Sequence, residues 1–199
     1  MALDRHVMNS TPRRRRTARQ QDLLDRLVAL LEAEGFSQFT LDDLAGRLRC
    51  SKTTLYALAG SKQELVVEVV KEYFRNSVPH VEARVEAAAP GEQVAAYLLA
   101  VADYLRPLSR DFIDDLLDFG PTHEIYRQNT VAAAGRVRAL ITEGIDAGAF
   151  RSVNPVFVAD VVAATMDHIQ RGETFARTGM EDAEAYAELA SFVALALRG

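Results

Sequence analysis

The sequence predicts an all-α protein: a three-helix head with a helix-turn-helix layout, then a larger helical-bundle body, about nine helices in all. Three observations point there. Apolar residues recur at steps of three and four almost throughout. Capping residues and glycine stops fall where helices would begin and end. No stretch alternates with the period of two that a strand requires.

Leu23, Leu24, Leu27, Val28, Leu30 and Leu31 form one face of a first helix, which Gly35 would stop as a left-handed residue. Thr40 caps a second helix, and Asp43 three residues on completes a capping-box pattern. Its buried face is Leu41, Leu44, Ala45 and Leu48. Ser51 opens a short third helix through about Leu58. Gly60 ends it, and Ser61 with Glu64 forms a second capping box. The long helix that follows buries Leu65, Val66, Val69, Val70, Tyr73 and Phe74 and runs into the mid-80s. After a break at Ala89-Pro90-Gly91, helices are expected from about Gly91 to Leu105, Ser109 to Asp118, Thr122 to Ala147, Pro155 to Thr178 and Met180 to Leu197. Asn154 before Pro155 is a strong start signal, a cap followed by a proline at the first helical position. The chain thus divides into a basic arm over 1–16, a head over 17–62, a linking helix over 63–88 and a body over 89–199.

Composition narrows the function. With 49% hydrophobic and 26% charged residues, the 199-residue chain can bury a substantial core. One cysteine, Cys50, excludes an intramolecular disulfide, fits a reducing cytosol, and reads as a small packing residue. No apolar run approaches the roughly 18 residues of a membrane span. Asp22, Asp25 and Arg26 interrupt any export-signal core after Arg13–Arg16, so a cytoplasmic protein with no membrane partner is expected. The net charge of -5 hides an asymmetry: residues 1–62 hold 11 of the 23 basic residues but only 7 of the 28 acidic ones. A basic head on an acidic body suits a protein that touches phosphate at one end.

Thr40 to Lys62 reads as two short helices joined by a tight turn around Leu48-Arg49-Cys50. That is the layout in which a second helix enters the major groove while the first braces it. Lys52 can donate to guanine or to phosphate, and Thr53 offers a methyl and a hydroxyl to base edges. Thr54 and Tyr56 can reach phosphate oxygens, and Lys62 lies at a helix start that already favours an anion. Arg13, Arg14, Arg15 and Arg16 are expected to lie along phosphates or in a minor groove.

The segment from roughly Arg19 to Phe74 resembles the DNA-binding domain of the TetR (tetracycline-repressor) family. The matching residues are Glu34-Gly35-Phe36, Thr40-Leu41-Asp42-Asp43-Leu44-Ala45, Ser51-Lys52-Thr53-Thr54-Leu55-Tyr56 and Ser61-Lys62-Gln63-Glu64-Leu65. The resemblance implies that Lys52 and Thr53 sit against bases, that Thr54 and Tyr56 meet backbone or base edges, and that Thr40 and Lys62 touch phosphates. Two departures stand out. Arg49 occupies a turn position where the family usually has glycine, implying a turn closed without positive φ or one carrying strain. The run Ala57-Leu58-Ala59 replaces more polar or aromatic residues and removes a phosphate-contact candidate.

The same resemblance implies a dimer on a roughly palindromic operator, acting as a repressor, paired through the two C-terminal helices and released by a small-molecule effector. Apolar seams Val158, Val162, Met166, Ile169 and Tyr186, Leu189, Val193, Leu197 suit that pairing or the chain's own core. Tyr104, Phe112, Phe119, His123, Tyr126 and His168 are the candidate effector contacts. Asp111, Asp114, Asp115 and Asp118 read as a solvated acidic face. No nucleophile–base set, phosphate loop or metal-ligand spacing appears, so neither an enzyme nor a cofactor or metal is expected. A regulator without an effector, controlled by a protein partner or by abundance, is the alternative.

Overall fold

The computed structural model describes residues 16–198. Every regular element among them is helical: α1 (Ala18–Glu34), α2 (Leu41–Arg47), α3 (Lys52–Tyr56), α4 (Lys62–Glu86), α5 (Gln93–Leu105), α6 (Arg110–Asp118), α7 (Gly120–Asp146), α8 (Pro155–Gln170), α9 (Glu173–Thr178) and α10 (Asp182–Leu197).

Ten helices, where about nine were expected, result from one break. The run anticipated from Pro155 to Thr178 divides at Arg171-Gly172. Gly172 adopts φ +71°, and a Cβ there would stand 1.4 Å from the Arg110 guanidinium. The positive φ favours glycine, and a side chain there would also displace the Arg110 guanidinium.

The caps behave largely as the sequence implies. Thr40 accepts from the Asp43 amide, and Asp43 accepts in return from the Thr40 amide at 2.8 Å. Asn154 accepts from the amides of Val156 and Phe157. The box expected at Ser61 is only half closed. Ser61 accepts from the Glu64 amide, but the Glu64 carboxylate takes the Gly60 amide at 2.8 Å and so pins the preceding loop. Gly35 stops α1 with φ +75° and ψ −171°, an extended positive-φ conformation rather than the left-handed helical one expected. A Cβ at Gly35 would lie 2.8 Å from Asp115 Oδ2. That carboxylate accepts from the Phe36 amide at 2.5 Å and the Ser37 amide at 2.8 Å, and the Ser109 amide donates to the Glu32 carbonyl at 2.8 Å. Asp115 therefore docks α6 on the end of α1 rather than forming part of a solvated acidic face.

Two apolar cores result. The first gathers Leu24, Leu27, Leu31, Leu44, Leu55 and Leu65 of the head with Phe112, Ile113 and Leu116 of α6. The second gathers Val81 and Val85 with residues of α5, α7, α8 and α10, including Leu98, Ile141, Val162 and Tyr186. Helix α4 contributes to both, and Pro79 lies between its two contributions. A proline there has no N–H to donate to the carbonyl four residues back, so the ladder is interrupted where the helix passes from one core to the other. The start of α1 is tied to α4 by the buried Glu72 carboxylate, which accepts from Arg16 at 3.0 Å, from Gln21 at 2.9 Å and from Arg75. Hydrogen bonds from several donors are what make a buried carboxylate tolerable.

The C-terminal seams face inward. Val162, Met166, Ile169, Tyr186, Leu189, Val193 and Leu197 are buried in the chain's own core, and Val158 is half-buried against it. The outward apolar residues of these helices are a different set: Val156, Phe157 (67% exposed) and Val161 on α8, with Phe192 (68%) and Leu195 (66%) on α10.

Half-buried Glu32 lies near the junction of α1 and α6, where burial lifts its carboxyl from 4.5 to about 7. The folded protein then holds this proton at pH values where the unfolded chain has released it, so stability falls as pH rises from 4.5 toward 7. Glu32→Gln should raise the Tm at pH 8 and leave it nearly unchanged at pH 4. Equal shifts at both pH values would show that ionisation is not the cause.

Candidate nucleic-acid interface and body cavity

The turn between α2 and α3 is built around Arg49, the non-glycine residue with positive φ among those described, at +52°. The Arg49 amide donates to the Gly46 carbonyl at 3.2 Å and the Cys50 amide to the Ala45 carbonyl at 2.9 Å. This is the double bond pattern that closes a helix on a left-handed residue. Of the two routes left open by the sequence, the strained one is realised. Arg26 holds the turn from α1 by donating to the Leu48 carbonyl at 2.5 Å, and Gln20 reaches the Ala57 carbonyl just past α3 at 3.2 Å. Leu55 anchors α3 in the head core, and Cys50 packs against the same core as a structural residue.

Several candidate contacts are already engaged within the protein. Lys52 pairs with Asp42 of α2 at 2.7 Å, which raises the ammonium above its ordinary value. The Thr40 hydroxyl donates to Asp43 at 2.6 Å, and the Thr40 donors hold the Asp43 carboxyl below the usual carboxylate range. Thr54 Oγ1 lies 2.8 Å from Ser51 Oγ, and Lys62 donates to the Ser37 carbonyl at 3.0 Å. Thr53 is exposed and its hydroxyl makes no hydrogen bond to a described residue, and Tyr56 is 49% exposed. Arg13, Arg14 and Arg15 lie outside the described residues. Arg16 does not belong to a free arm: it binds Glu68 at 2.5 Å and Glu72 at 3.0 Å. Its role is to brace α1 against α4.

Arg49 was read from the sequence only as a backbone problem. It is also an exposed cation, without an ion pair, on the turn that presents α3, and so it joins the candidate phosphate contacts. The charge of the residue itself was the available signal.

In the body, a cavity of about 260 Å³ lies among α4, α5, α6, α7 and α8. Tyr104 and Tyr126 line it. The Tyr104 hydroxyl donates to the Tyr73 carbonyl at 3.1 Å, and the Tyr126 hydroxyl to Asp167 at 2.8 Å. Burial, with Asp167 as acceptor, pushes the Tyr126 hydroxyl up well above its ordinary value. The other candidates sit elsewhere. Phe112 is fully buried in the head-side core, in edge contact with Phe36 and Tyr73, and Phe119 packs on that core. His123 faces an outer groove between α7 and α8. His168 lies 3.1 Å from Glu173 and beside Arg177 at the α8–α9 junction. Val81, Tyr97, Arg136 and Gln170 line the cavity and were not singled out. Their inward positions follow from the packing of helices distant in the chain.

Fold and site together define a helix-turn-helix DNA-binding protein with a helical-bundle body. Residues 23–69 match the family described as bacterial regulatory proteins, tetR family. The match covers the head and the start of α4, and what it supports is a TetR-type transcriptional regulator. The whole fold is similar to a transcriptional regulator from Cytophaga hutchinsonii, with a TM-score of 0.74 and 13% identity over 92% of this chain and 100% of that one. A TetR transcription regulator from Haloarcula marismortui gives 0.73 and 19% over 90% and 98%. The fatty acid degradation regulator FadR from Bacillus halodurans gives 0.71 and 11% over 91% and 97%. At these identities the likeness is one of fold. No curated protein matches the sequence.

A non-glycine residue in the left-handed region costs about 1–2 kcal/mol, and glycine returns about 0.4–1 kcal/mol of that to the unfolded chain. Arg49→Gly should therefore raise the Tm by about 1–4 °C, measured by calorimetry. A fall in Tm would mean that the guanidinium, not the backbone, governs this turn.

Proposed function

We propose that the chain is a dimeric repressor that covers a palindromic operator in the cytoplasm and is released by a small molecule held in the body cavity. The position of the cavity carries this reading. One wall is α4, and the other half of the same helix belongs to the head core. A molecule that binds one placement of α4 better than another shifts the head with it, in proportion to that difference in affinity.

On the DNA side, Thr53 and Lys52 read base edges. Thr40, Thr54, Tyr56 and Lys62 hold phosphates, and Arg13–Arg15 add a contribution independent of sequence. Arg16 is left to its structural task. One head reads only a few base pairs, and two heads about 34–36 Å apart match successive major grooves. The exposed Phe157, Val161, Phe192 and Leu195 support pairing through α8 and α10, because apolar residues so clustered on two adjacent helices favour burial against a second copy.

Footprinting of the region upstream of the gene should show two protected half-sites related by a dyad. Phe192→Asp should sediment as a monomer, keep its helical content, and bind that site at least about tenfold more weakly. Protection of a single half-site by a monomeric wild-type protein would overturn the dimer reading. Lys52→Ala and Thr53→Ala should both weaken the operator complex. Only the lysine change should also reduce the salt dependence, by roughly one unit of slope.

A further inference from the structure

We infer that the cavity takes an uncharged, largely apolar molecule bearing a carbonyl or hydroxyl group, and discriminates against lipophilic anions and cations of the same size. The inference rests on the reading that the cavity holds the effector, and it deepens that reading by assigning a chemical class.

The wall is mainly hydrocarbon and aromatic, with Val81, Val101, Leu105 and Met166 beside the rings of Phe74 and Tyr104. The acidic and basic side chains among the lining residues are Glu82, Arg136 and Asp167, and each is already matched. Arg136 donates through Nε and Nη2 to the two oxygens of Glu82 at 2.9 and 2.8 Å, while Nη1 lies 3.7 Å from Glu143. Asp167 accepts from the Tyr126 hydroxyl at 2.8 Å on one oxygen and from Arg171 at 2.8 Å on the other. An ion leaving water for this space would lose its hydration and meet no uncompensated counter-charge. It would have to break a bidentate pair and strand one partner.

Other polar groups of the wall are engaged too. Ser77 donates to the Phe74 carbonyl, Thr130 to the Tyr126 carbonyl, and Gln170 to the Tyr186 hydroxyl. Three neutral groups carry no hydrogen bond to a described residue: the Tyr97 hydroxyl, the Asn129 amide and the buried Tyr73 hydroxyl, which lies on the head side of the cavity. Burial, with Glu82 nearby, lifts the Tyr97 hydroxyl to about 12, so it stays protonated and able to donate. Asn129 can both donate and accept. A carbonyl or hydroxyl is what such dipoles can satisfy, and the surrounding hydrocarbon rewards an apolar remainder.

The test uses the full-length protein and the uncharged fluorophore N-phenyl-1-naphthylamine, displaced by three ten-carbon competitors: methyl decanoate, decanoate and decyltrimethylammonium. Expected is fluorophore binding that Ala133→Leu, which intrudes on the cavity, weakens. Methyl decanoate should then displace the fluorophore at concentrations at least about tenfold lower than either ion. Tyr97→Phe and Asn129→Ala should each weaken the ester about three- to tenfold with fluorophore binding retained. Glu82→Gln, which frees the Arg136 guanidinium, should improve decanoate at least about fivefold. Decanoate or the ammonium competing as well as the ester, or Glu82→Gln leaving decanoate unchanged, would overturn the assignment of class while leaving a ligand-binding cavity in place. Failure of the fluorophore to bind the wild type, or binding indifferent to Ala133→Leu, would remove the effector reading and this inference with it.

Discussion

Helix α4 must satisfy two apolar cores with one backbone. Leu65, Val66, Val69 and Val70 are sealed in the head core, while Val81 and Val85 are sealed in the body core. A rotation or translation that improves one set is felt by the other, because close-packed interiors resist small displacements and settle into discrete arrangements. Pro79 falls between the two sets and interrupts the hydrogen-bond ladder there. The helix is therefore weakest in its backbone where it is least committed to either core. That is the property a link between a sensor and a reader requires.

The second connection, through α6, has a different physical character. Phe112, Ile113 and Leu116 belong to the head core although α6 lies in the body segment of the sequence, and Asp115 receives two amides from the residues that follow Gly35. Apolar burial sets how strongly α6 adheres. The two charge-assisted hydrogen bonds set where it adheres, because they demand direction as well as distance. Ile113 and Leu116 also line the cavity, so α6 meets the cavity on one side and the head on the other. The cavity wall is thus joined to the head by two routes, and they converge on the aromatic contacts of Phe112 with Phe36 and Tyr73.

What could be read from the sequence was what is local. Thr40, Ser51, Ser61, Ser109 and Asn154 cap helices because a capping side chain acts within three residues of itself. The helix-turn-helix was legible for the same reason. The break at Gly172 was not, because a glycine inside a helical run can be carried through as well as end it, and the left-handed φ it adopts here is seen only in the fold. The seams of α8 and α10 were assigned no direction because both helices are apolar on more than one side. Periodicity reports that a face exists, and packing decides which way it points. Phe112 looked like a cavity residue for a similar reason: an aromatic on a middle helix serves either core, and α6 turned it toward the head.

The head's engaged side chains bear on how DNA would be recognised. Lys52 rests on Asp42, and Thr40 on Asp43, in an exposed setting where such pairs are readily exchanged and screened by salt. These carboxylates lie in the first turn of α2, where the helix dipole favours them, and they pre-position the donors on the face that would meet phosphate. A polyanion arriving there must compete with Asp42 and repel it. The exchange lowers the net gain from each contact while preserving its geometry. Non-specific affinity, which depends on raw charge, is then reduced more than specific affinity, which also draws on the uncommitted Thr53 and on base edges. Pairing donors with exposed acids in the free protein thereby favours discrimination between sequences over adhesion to any sequence.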